Sequence, residues 1–314
     1  MKAYILENSG GVDKLQLKDV QKPIPKKGEV LIKVKSISIN PVDVKARRNE
    51  LVLTWIYQDQ RPVILGWDIS GEVVGTGNDV DKVNPGDKVF GMVNFIGSGN
   101  AYAEYVCAPV NHIAKIPENI SFDEASASTL ACLTALQSLE KNVKSGDKVL
   151  IHAGSGGVGH FAIQIAKHLG AYVIATSSAK NKDFTLSLGA DKHIDYVNQK
   201  MEDNLWDVDF VLDTIGGKTL LTSLQVAKKG AKVITLPSGD ISEEAQTIAA
   251  DKNIDLSFYL VKSDGNDMET IATLLEQKKI VPHISKKFRF EDLGEAHLQI
   301  ETGRTVGRIA VLLN

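Results

Sequence analysis

The stretch 149-VLIHAGSGGVGHFAIQIAKHLGAYVIATSS-178 decides the fold of this chain. Its residue types predict a buried strand, a glycine turn, a helix and a second buried strand, in that order. The apolar run at 149–151 is typical of a parallel strand covered on both faces, and Gly170 is predicted to end the helix as a C-cap. A turn of this kind, between a strand and a helix, is a common binding site for the diphosphate of a dinucleotide.

Three glycines give this turn the spacing G-x-G-x-x-G. Gly154 is predicted to permit the tight turn, Gly156 to let a pyrophosphate approach the backbone, and Gly159 to let the helix pack closely on the sheet. The spacing alone is weak evidence, and its place between a strand and a helix makes it strong. The alternative is a purely structural turn in another α/β protein. The predicted phosphate-binding residues are Gly154, Ser155, Gly156, Gly157, Val158 and Gly159.

The composition is that of a soluble globular protein with room for two domains. The chain has 314 residues, 43% hydrophobic and 24% charged, and a net charge of −3. This charge disfavours nucleic acid or an anionic membrane as a partner, and no apolar run approaches the about 18 residues of a membrane span. The first residues do not resemble a signal peptide, and Cys107 and Cys132 form no C-x-x-C pair, so a cytoplasmic location is expected.

The order of predicted elements changes along the chain. Residues 1–120 are predicted to be rich in β-structure, and a helix at 123–141 is predicted to open a second domain. After it, strands and helices alternate, which indicates an α/β fold with a doubly wound parallel sheet. The predicted strands are 149–152, 171–177, 192–196, 208–214 and 231–236, and the helices are 158–169, 181–188 and 218–227.

The last part of the chain adds three predicted elements. An apolar strand at 254–261 is expected at the edge of the parallel sheet, where an unpaired edge needs a partner or a cover, so the sequence favours a homodimer. A helix is predicted at 267–279. The end, at 307–314, is predicted to be a strand that rejoins the first domain.

The end of the second Rossmann-type strand predicts which dinucleotide binds. An NAD site has an acidic residue there for the ribose 2′-OH, but the stretch 175-ATSSAKNKDF-184 has none at the strand tip. Its hydroxyl side chains suit the 2′-phosphate of NADPH, and so do the positive charges of Lys180 and Lys182. The alternative is an ordinary turn with a solvated lysine. The hydroxyl residues are Thr176, Ser177 and Ser178.

Eight motifs together resemble one known family. The chain resembles the zinc-independent quinone oxidoreductases of the medium-chain dehydrogenase/reductase superfamily, including the plant-type alkenal/enone reductases. The resemblance implies a GroES-like catalytic domain at 1–120 with 265–314, a Rossmann domain at 121–264, and NADPH in the cleft between them. The motifs are 39-INPVDVKAR-47, 65-LGWDISGEV-73, 84-NPGDKVFG-91, 132-CLTAL-136, 152-HAGSGGVG-159, 188-LGADKHIDY-196, 211-VLDTIGG-217 and 302-TGRTVGRI-309.

The resemblance also implies contacts with the cofactor. Thr134 and the glycine turn would lie along the nicotinamide and the pyrophosphate, and Tyr196 would lie near the adenosine. The 2′-phosphate would meet Ser177, Ser178 and Lys180, although Lys182 could take the place of Lys180. The remaining residues implied by the resemblance are Thr214, Ile215, Gly216, Leu236 and Arg308.

The sequence predicts no metal site. Zinc-dependent members of the superfamily have a Cys early in the first domain, a Gly-His-Glu turn and a later Cys. In this chain the corresponding positions fall in 40-NPVD-43, in 66-GWD-68 and at Leu130. Tetrahedral zinc needs several nitrogen or sulfur ligands, and these positions supply none. The sequence therefore disfavours an alcohol dehydrogenase, which uses the metal to polarise its substrate.

These observations lead to a hypothesis about the reaction. Hydride passes from NADPH to a quinone, or to the β-carbon of an α,β-unsaturated carbonyl, and the resulting oxyanion is then protonated. The candidate donors to the oxyanion are Asn40 and Tyr57, the latter in a predicted loop at 54–62, and Asp43 could orient either. Aromatic side chains are candidates to line an apolar pocket: Trp55, Trp67 and Phe95.

Three other functions remain open. A serine hydrolase is suggested by Ser155 in a turn that superficially resembles a nucleophile elbow, with Asp213 and either His283 or His297 as partners. A second alternative is a protein that binds NADPH without catalysis. A third is a reductase of enoyl thioesters, for which the basic cluster Lys45, Arg47 and Arg48 could bind the acyl carrier, although a solvated surface is the simpler interpretation.

Overall fold

A computed structural model describes residues 1–237 and 241–313. Its chain forms two compact units: the first unit is Met1–Leu133 with Val261–Asn314, and the second unit is Thr134–Leu260. The divisions therefore lie at 133/134 and 260/261, where the sequence places them at 120/121 and 264/265.

The strands are β1 (Lys2–Ile5), β2 (Gln16–Asp19), β3 (Glu29–Ser38), β4 (Asp68–Thr76), β5 (Lys88–Met92), β6 (Tyr105–Pro109), β7 (Ile113–Lys115), β8 (Lys148–Ile151), β9 (Tyr172–Ser177), β10 (Lys192–Asp195), β11 (Val208–Asp213), β12 (Ala227–Thr235), β13 (Asp255–Phe258), β14 (Ile284–Arg289) and β15 (Arg308–Leu312). The helices are α1 (Pro41–Arg48), α2 (Glu50–Tyr57), α3 (Phe122–Ala127), α4 (Leu130–Leu139), α5 (Gly159–His168), α6 (Lys182–Ser187), α7 (Lys218–Val226), α8 (Glu243–Asp251), α9 (Gly265–Glu276) and α10 (Leu293–Glu301).

The first unit is built on a sheet with the strand order β14-β15-β3-β4-β5-β7, and β6 also pairs with β3. The alternation seen in the sequence of β3 is explained by burial, since Ile32 and Val34 are 0% and 1% exposed. The C-terminal strand β15 pairs antiparallel with β3, with Ala310 opposite Ser38. This confirms that the end of the chain rejoins the first part.

The second unit contains a six-stranded sheet with the order β10-β9-β8-β11-β12-β13. Every pairing in it is parallel, which confirms the predicted doubly wound sheet. Its central strands bury continuous apolar runs, for example Val149 and Leu150 at 0% exposure. The strand predicted at 254–261 is present as β13, and it forms one edge of the sheet.

One predicted helix is wrong: the stretch 123–141 forms two helices, α3 and α4. The break lies at Ser128 and Thr129, whose hydroxyls donate to the carbonyls of Glu124 and Ser126 at 2.8 Å. Side-chain hydroxyls that bond nearby carbonyls compete with the helical pattern, so the helix ends there. Helix α3 then packs on β3 and β4, which places it in the first unit.

The helix at 243–251, the present α8, was not predicted from the sequence. It begins at an N-cap in which the Ser242 side chain accepts a hydrogen bond from Ala245 N. Within residues 1–237 and 241–313, no helix is long and apolar enough to cross a membrane.

Candidate functional site

The glycine turn between β8 and α5 has a different geometry from the one expected. The residue with a left-handed backbone is Ala153, with φ of 46°, and not Gly154. A Cβ on Gly154 would lie 2.8 Å from the Cβ of Ala175, and Gly154 N donates to Thr176 O at 2.8 Å. Gly154 therefore lets the turn pass directly against β9, which corrects the role predicted for it.

The other two glycines differ in how closely their backbone is packed within the turn. A Cβ on Gly159 would lie 2.2 Å from Ala153 O, so only glycine lets α5 begin against the turn. A Cβ on Gly156 would meet nothing nearer than Ala153 O, at 3.2 Å. The backbone at Gly156 is half-buried and leads into the start of α5, where Gly159 is buried. A helix N-terminus of this kind is a common binding site for a diphosphate. The other residues between Gly154 and Gly159 are also half-buried: Ser155, Gly157 and Val158.

Five predicted segments follow the carboxyl ends of five parallel strands. Because such ends lie along one edge of a parallel sheet, the second unit brings these segments to a common edge. After β8, β9, β10, β11 and β12 come Gly154, Ser178, Tyr196, Thr214 and Leu236. Tyr196 is 66% exposed, and Thr134 is buried in α4. This edge is where ligands bind in open α/β sheets.

The segment after β11 is held in place by Asp213, which the sequence analysis assigned only to the rival hydrolase. Its buried carboxylate accepts from Ile215 N and Gly216 N at 3.0 Å. Thr214 Oγ1 donates to His152 O at 3.0 Å, and Leu236 N donates to Asp213 O at 2.8 Å. The carboxylate therefore fixes the turn at 214–216, while Ile215 remains 53% exposed.

Thr176, at the end of β9, has its hydroxyl engaged inside the second unit. Its Oγ1 lies 3.1 Å from His152 Nδ1, and His152 Nε2 lies 2.8 Å from Ser223 Oγ. Burial lowers the pKa of His152 to about 4, so this imidazole is neutral at pH 7. The role of Thr176 in cofactor binding stays a prediction.

Ser177 is in contact with a residue that the sequence analysis missed. Its Oγ lies 2.8 Å from Nε2 of His193, and it also donates to Ser178 O at 3.2 Å. Burial and the charge of Lys182 lower the pKa of His193, against the raising effect of Asp195. The signal that could have revealed this contact is the register of the two strands. Ser177 is paired with Asp195 on the neighbouring parallel strand, two positions after His193.

A second missed residue joins the end of β9 to the glycine turn. Asn181 Nδ2 donates to Ser155 Oγ at 2.9 Å. Ser155 is thus held by the segment that carries the predicted 2′-phosphate residues, of which Lys180 is exposed and Ser178 is half-buried.

The first unit contains a buried polar cluster around Asp68. Asp68 Oδ2 accepts from Arg308 Nη2 and Asn40 Nδ2, each at 2.8 Å, and Oδ1 accepts from Leu130 N at 3.0 Å. Arg308 Nη2 also donates to Ser38 Oγ at 2.8 Å. Asn40, Asp68 and Arg308 are 1%, 0% and 3% exposed. Arg308 is therefore one partner of a buried ion pair, and its contact with a cofactor stays a prediction.

Asp43 lies beside this cluster as a buried carboxyl. Its Oδ2 accepts from Asn40 N at 2.5 Å, which caps the start of α1. Burial, with a smaller contribution from the nearby Asp68, raises the pKa of Asp43 to about 8, against the lowering effect of the Asn40 N–H. At neutral pH Asp43 is therefore mostly protonated, so it holds a proton within the first unit.

The pKa of Asp43 predicts a dependence of stability on pH. Between the unfolded value of 3.8 and the folded value of about 8, the folded chain binds one proton more than the unfolded chain at this site, so its stability falls as pH rises. Asp43→Asn keeps an oxygen for Asn40 N but cannot ionise. We expect the stability of the variant relative to the wild type to rise between pH 5 and pH 7, by up to about 1.4 kcal/mol per pH unit. Urea denaturation at several pH values measures this, and parallel curves would contradict it.

Tyr57 does not lie in a loop, which corrects the prediction for 54–62. Residues 54–57 complete α2, and Tyr57 is only 3% exposed. Its hydroxyl is 3.4 Å from Ile64 O, and burial raises its pKa well above the ordinary value. Its ring stacks on Trp67, with 6.2 Å between the centroids. Tyr57 therefore stays a protonated donor, and its catalytic role is still a prediction.

The three aromatic candidates for an apolar pocket have different environments. Trp67 is 0% exposed, and its Nε1 donates to Gly97 O at 2.8 Å, so it belongs to the core. Phe95 packs edge-on against Trp67 at 5.1 Å and is half-buried. Trp55 is 54% exposed on α2.

Two residues named for the alternative functions, His297 and Arg47, are buried in the first unit. His297 is buried and bonded through Nε2 to Tyr102 OH at 2.9 Å, and burial lowers its pKa to about 3, which is unsuitable for a general base. Arg47 is not on a solvated surface as expected. It is 1% exposed and pairs with Glu301, whereas Arg48 is 60% exposed.

In the described part of the chain, no three His, Cys, Asp or Glu side chains are grouped so that they could hold a metal ion.

Two family models match this sequence. The model described as "Alcohol dehydrogenase GroES-like domain" matches residues 26–118, which lie in the first unit. The model described as "Zinc-binding dehydrogenase" matches residues 188–311, which include β10 to β14 and most of β15.

Known proteins similar to this chain cover almost all of it. The 2-methylene-furan-3-one reductase of Solanum lycopersicum is 33% identical, with 99% of this chain and 79% of the relative aligned. The chloroplastic NADPH-dependent alkenal/one oxidoreductase of Arabidopsis thaliana is 31% identical over the same shares. The solved structure of the quinone oxidoreductase from Coxiella burnetii has a TM-score of 0.92 and 35% identity, and covers 100% of this chain and 99% of that one.

Proposed function

Because this chain belongs to the quinone oxidoreductase and alkenal/one oxidoreductase branch of the medium-chain dehydrogenase/reductase superfamily, we propose that it is an NADPH-dependent reductase of quinones or α,β-unsaturated carbonyls. When bound, NADPH supplies the hydride. The observation that carries the proposal is the glycine turn at the start of α5, beside a strand end with hydroxyl and lysine side chains and no acidic residue at the tip of β9.

The residues of the second unit would bind and orient the cofactor. The backbone from Gly154 to Gly159 would hold the diphosphate at the start of α5, where the helix dipole favours negative charge. Ser177 and Ser178 would donate hydrogen bonds to the 2′-phosphate. Asn181 would keep the Ser155 side chain in one position within the turn.

Of the two candidate lysines, we favour Lys182 for the 2′-phosphate. Its charge lowers the pKa of His193, the partner of Ser177, so it acts electrostatically on the residue that contacts the Ser177 side chain. We expect Lys182→Ala to weaken NADPH binding about tenfold, since a charge-assisted hydrogen bond is lost, and Lys180→Ala to change it less than about twofold. Fluorescence titration with NADPH measures both. A larger loss in Lys180→Ala would assign the contact to that residue instead.

The polar groups of the first unit would serve the protonation step. Hydride addition to a conjugated carbonyl leaves an oxyanion, which hydrogen-bond donors stabilise. Asn40 and Tyr57 are our proposed donors, because Tyr57 stays protonated and the Asn40 amide is held by Asp68. Asp43, protonated at neutral pH, would keep negative charge away from this part of the unit.

Three further properties belong to the proposal. Zinc independence is supported by the residues at the positions of the zinc ligands, Asn40 to Asp43, Trp67 and Leu130. A homodimer is supported by β13, which is an edge strand of the sheet among the described residues and could pair there with a second copy. A cytoplasmic location is supported by the two unpaired cysteines.

Steady-state kinetics test the proposed function. NADPH consumption is followed with 9,10-phenanthrenequinone and with a short 2-alkenal, with and without a zinc chelator, and NADH serves as the matched control. We expect turnover with at least one substrate, a preference for NADPH, and no loss with the chelator. NADPH binding without turnover would favour a non-catalytic protein, and hydrolysis of an activated ester without NADPH turnover would favour the hydrolase.

A further inference from the structure

The direction of the hydrogen bond between Ser177 and His193 depends on the tautomer of the imidazole. A serine hydroxyl has one proton, and Ser177 Oγ donates it to the carbonyl oxygen of Ser178, at 3.2 Å. When the serine proton is directed to Ser178 O, the 2.8 Å bond between Ser177 Oγ and His193 Nε2 is donated by the imidazole. This arrangement corresponds to the Nε2–H tautomer of His193.

This direction leaves the Ser177 proton available. The bond to Ser178 O is long, whereas the bond from His193 is short, so the oxygen is held by the imidazole and its proton can turn to another acceptor at low cost. The opposite tautomer would accept the serine proton and remove it. Lys182 acts electrostatically on the same imidazole.

We propose that His193 is a positioning residue for the 2′-phosphate: it donates Nε2–H to Ser177 Oγ and so directs the Ser177 hydroxyl proton to a phosphate oxygen. This inference rests on the proposed function, since it requires NADPH as the ligand. It makes His193 a determinant of the preference for NADPH over NADH, which lacks that phosphate.

The test compares nucleotide affinities of two variants. His193→Leu removes the donor, and we expect it to raise the Kd for NADPH about three- to tenfold, with the Kd for NADH changed less than about twofold. His193→Gln restores a side-chain amide N–H in place of Nε2–H, and we expect it to keep the Kd for NADPH within about twofold of the wild type. Fluorescence titration of the full-length protein with each nucleotide gives the values.

Controls separate positioning from structure and from the proposed function. His168, exposed at the other end of α5, gives the matched variant His168→Leu, which should leave both affinities unchanged. In a Ser177→Ala background, His193→Leu should have no further effect on the Kd for NADPH, because the shared hydroxyl is gone. Equal losses for NADPH and NADH, failure of His193→Gln to rescue, or additive losses in the double variant would each overturn the inference. A wild type that binds neither nucleotide would instead contradict the proposed function.

Discussion

We expect Arg308→Met to lower the free energy of unfolding by about 3–5 kcal/mol, because it leaves Asp68 as a buried carboxylate without its cation. Both side chains of this ion pair are almost fully buried, at 3% and 0% exposure. Asn40 Nδ2 and Leu130 N would remain as hydrogen-bond donors to Asp68, but neither has a full charge. Urea denaturation followed by tryptophan fluorescence measures the change. In a Trp206→Phe background, the two remaining tryptophans, Trp55 and Trp67, both report on the first unit.

The same ion pair predicts a dependence on pH and has a matched control. Burial raises the pKa of Asp68, and the positive charge of Arg308 lowers it. Arg308→Met should therefore lose less stability, relative to the wild type, where the pH is low enough to protonate the Asp68 carboxyl. Arg289 and Asp292 form an exposed pair, with 75% and 39% side-chain exposure, and Arg289→Met should lower the free energy of unfolding much less than Arg308→Met. Equal effects of Arg308→Met and Arg289→Met would show that burial of the pair does not determine its contribution.

The second unit was predictable because its signals are local. The predicted strand at 149–152 and the predicted helix at 158–169 differ from the observed β8 and α5 by one residue at each end. Apolar runs, glycine spacing and the order of elements determine a parallel sheet, and these features lie within short stretches. The edge strand β13 was found in the same way.

The polar contacts of the site were not predictable because they join distant positions. Arg308 and Asp68 are separated by 240 residues, and the bond between Ser177 and His193 requires the register of two strands. The role of Ala153 in the glycine turn depends on how closely β9 passes, which no spacing of glycines reveals. Tyr57, predicted in a loop at 54–62, is instead the last residue of the short helix α2.

A substitution at the end of β9 is expected to have the second large effect, on the affinity for NADPH. We expect Ser177→Asp to raise the Kd for NADPH about 100-fold, because a carboxylate would lie where the 2′-phosphate accepts the serine proton. NADH should bind as well as before or better, since a carboxylate at this strand end accepts a hydrogen bond from the ribose 2′-OH. His193, which donates to Ser177 in the wild type, can donate to the new carboxylate, so the strand end should keep its structure. Fluorescence titration with both nucleotides gives the ratio of affinities.

Ser177→Asn is the matched control for charge, because it has nearly the same shape as the aspartate and is neutral. It should weaken NADPH binding only severalfold, so the difference between the two variants measures electrostatic repulsion. Salt screens electrostatic repulsion, although less where a charge is partly buried, so the difference in Kd for NADPH between Ser177→Asp and Ser177→Asn should narrow as ionic strength rises. An unchanged Kd for NADPH in Ser177→Asp would place the 2′-phosphate away from β9. Equal losses of NADPH and NADH in both variants would mean that the substitution disrupts the Rossmann edge itself.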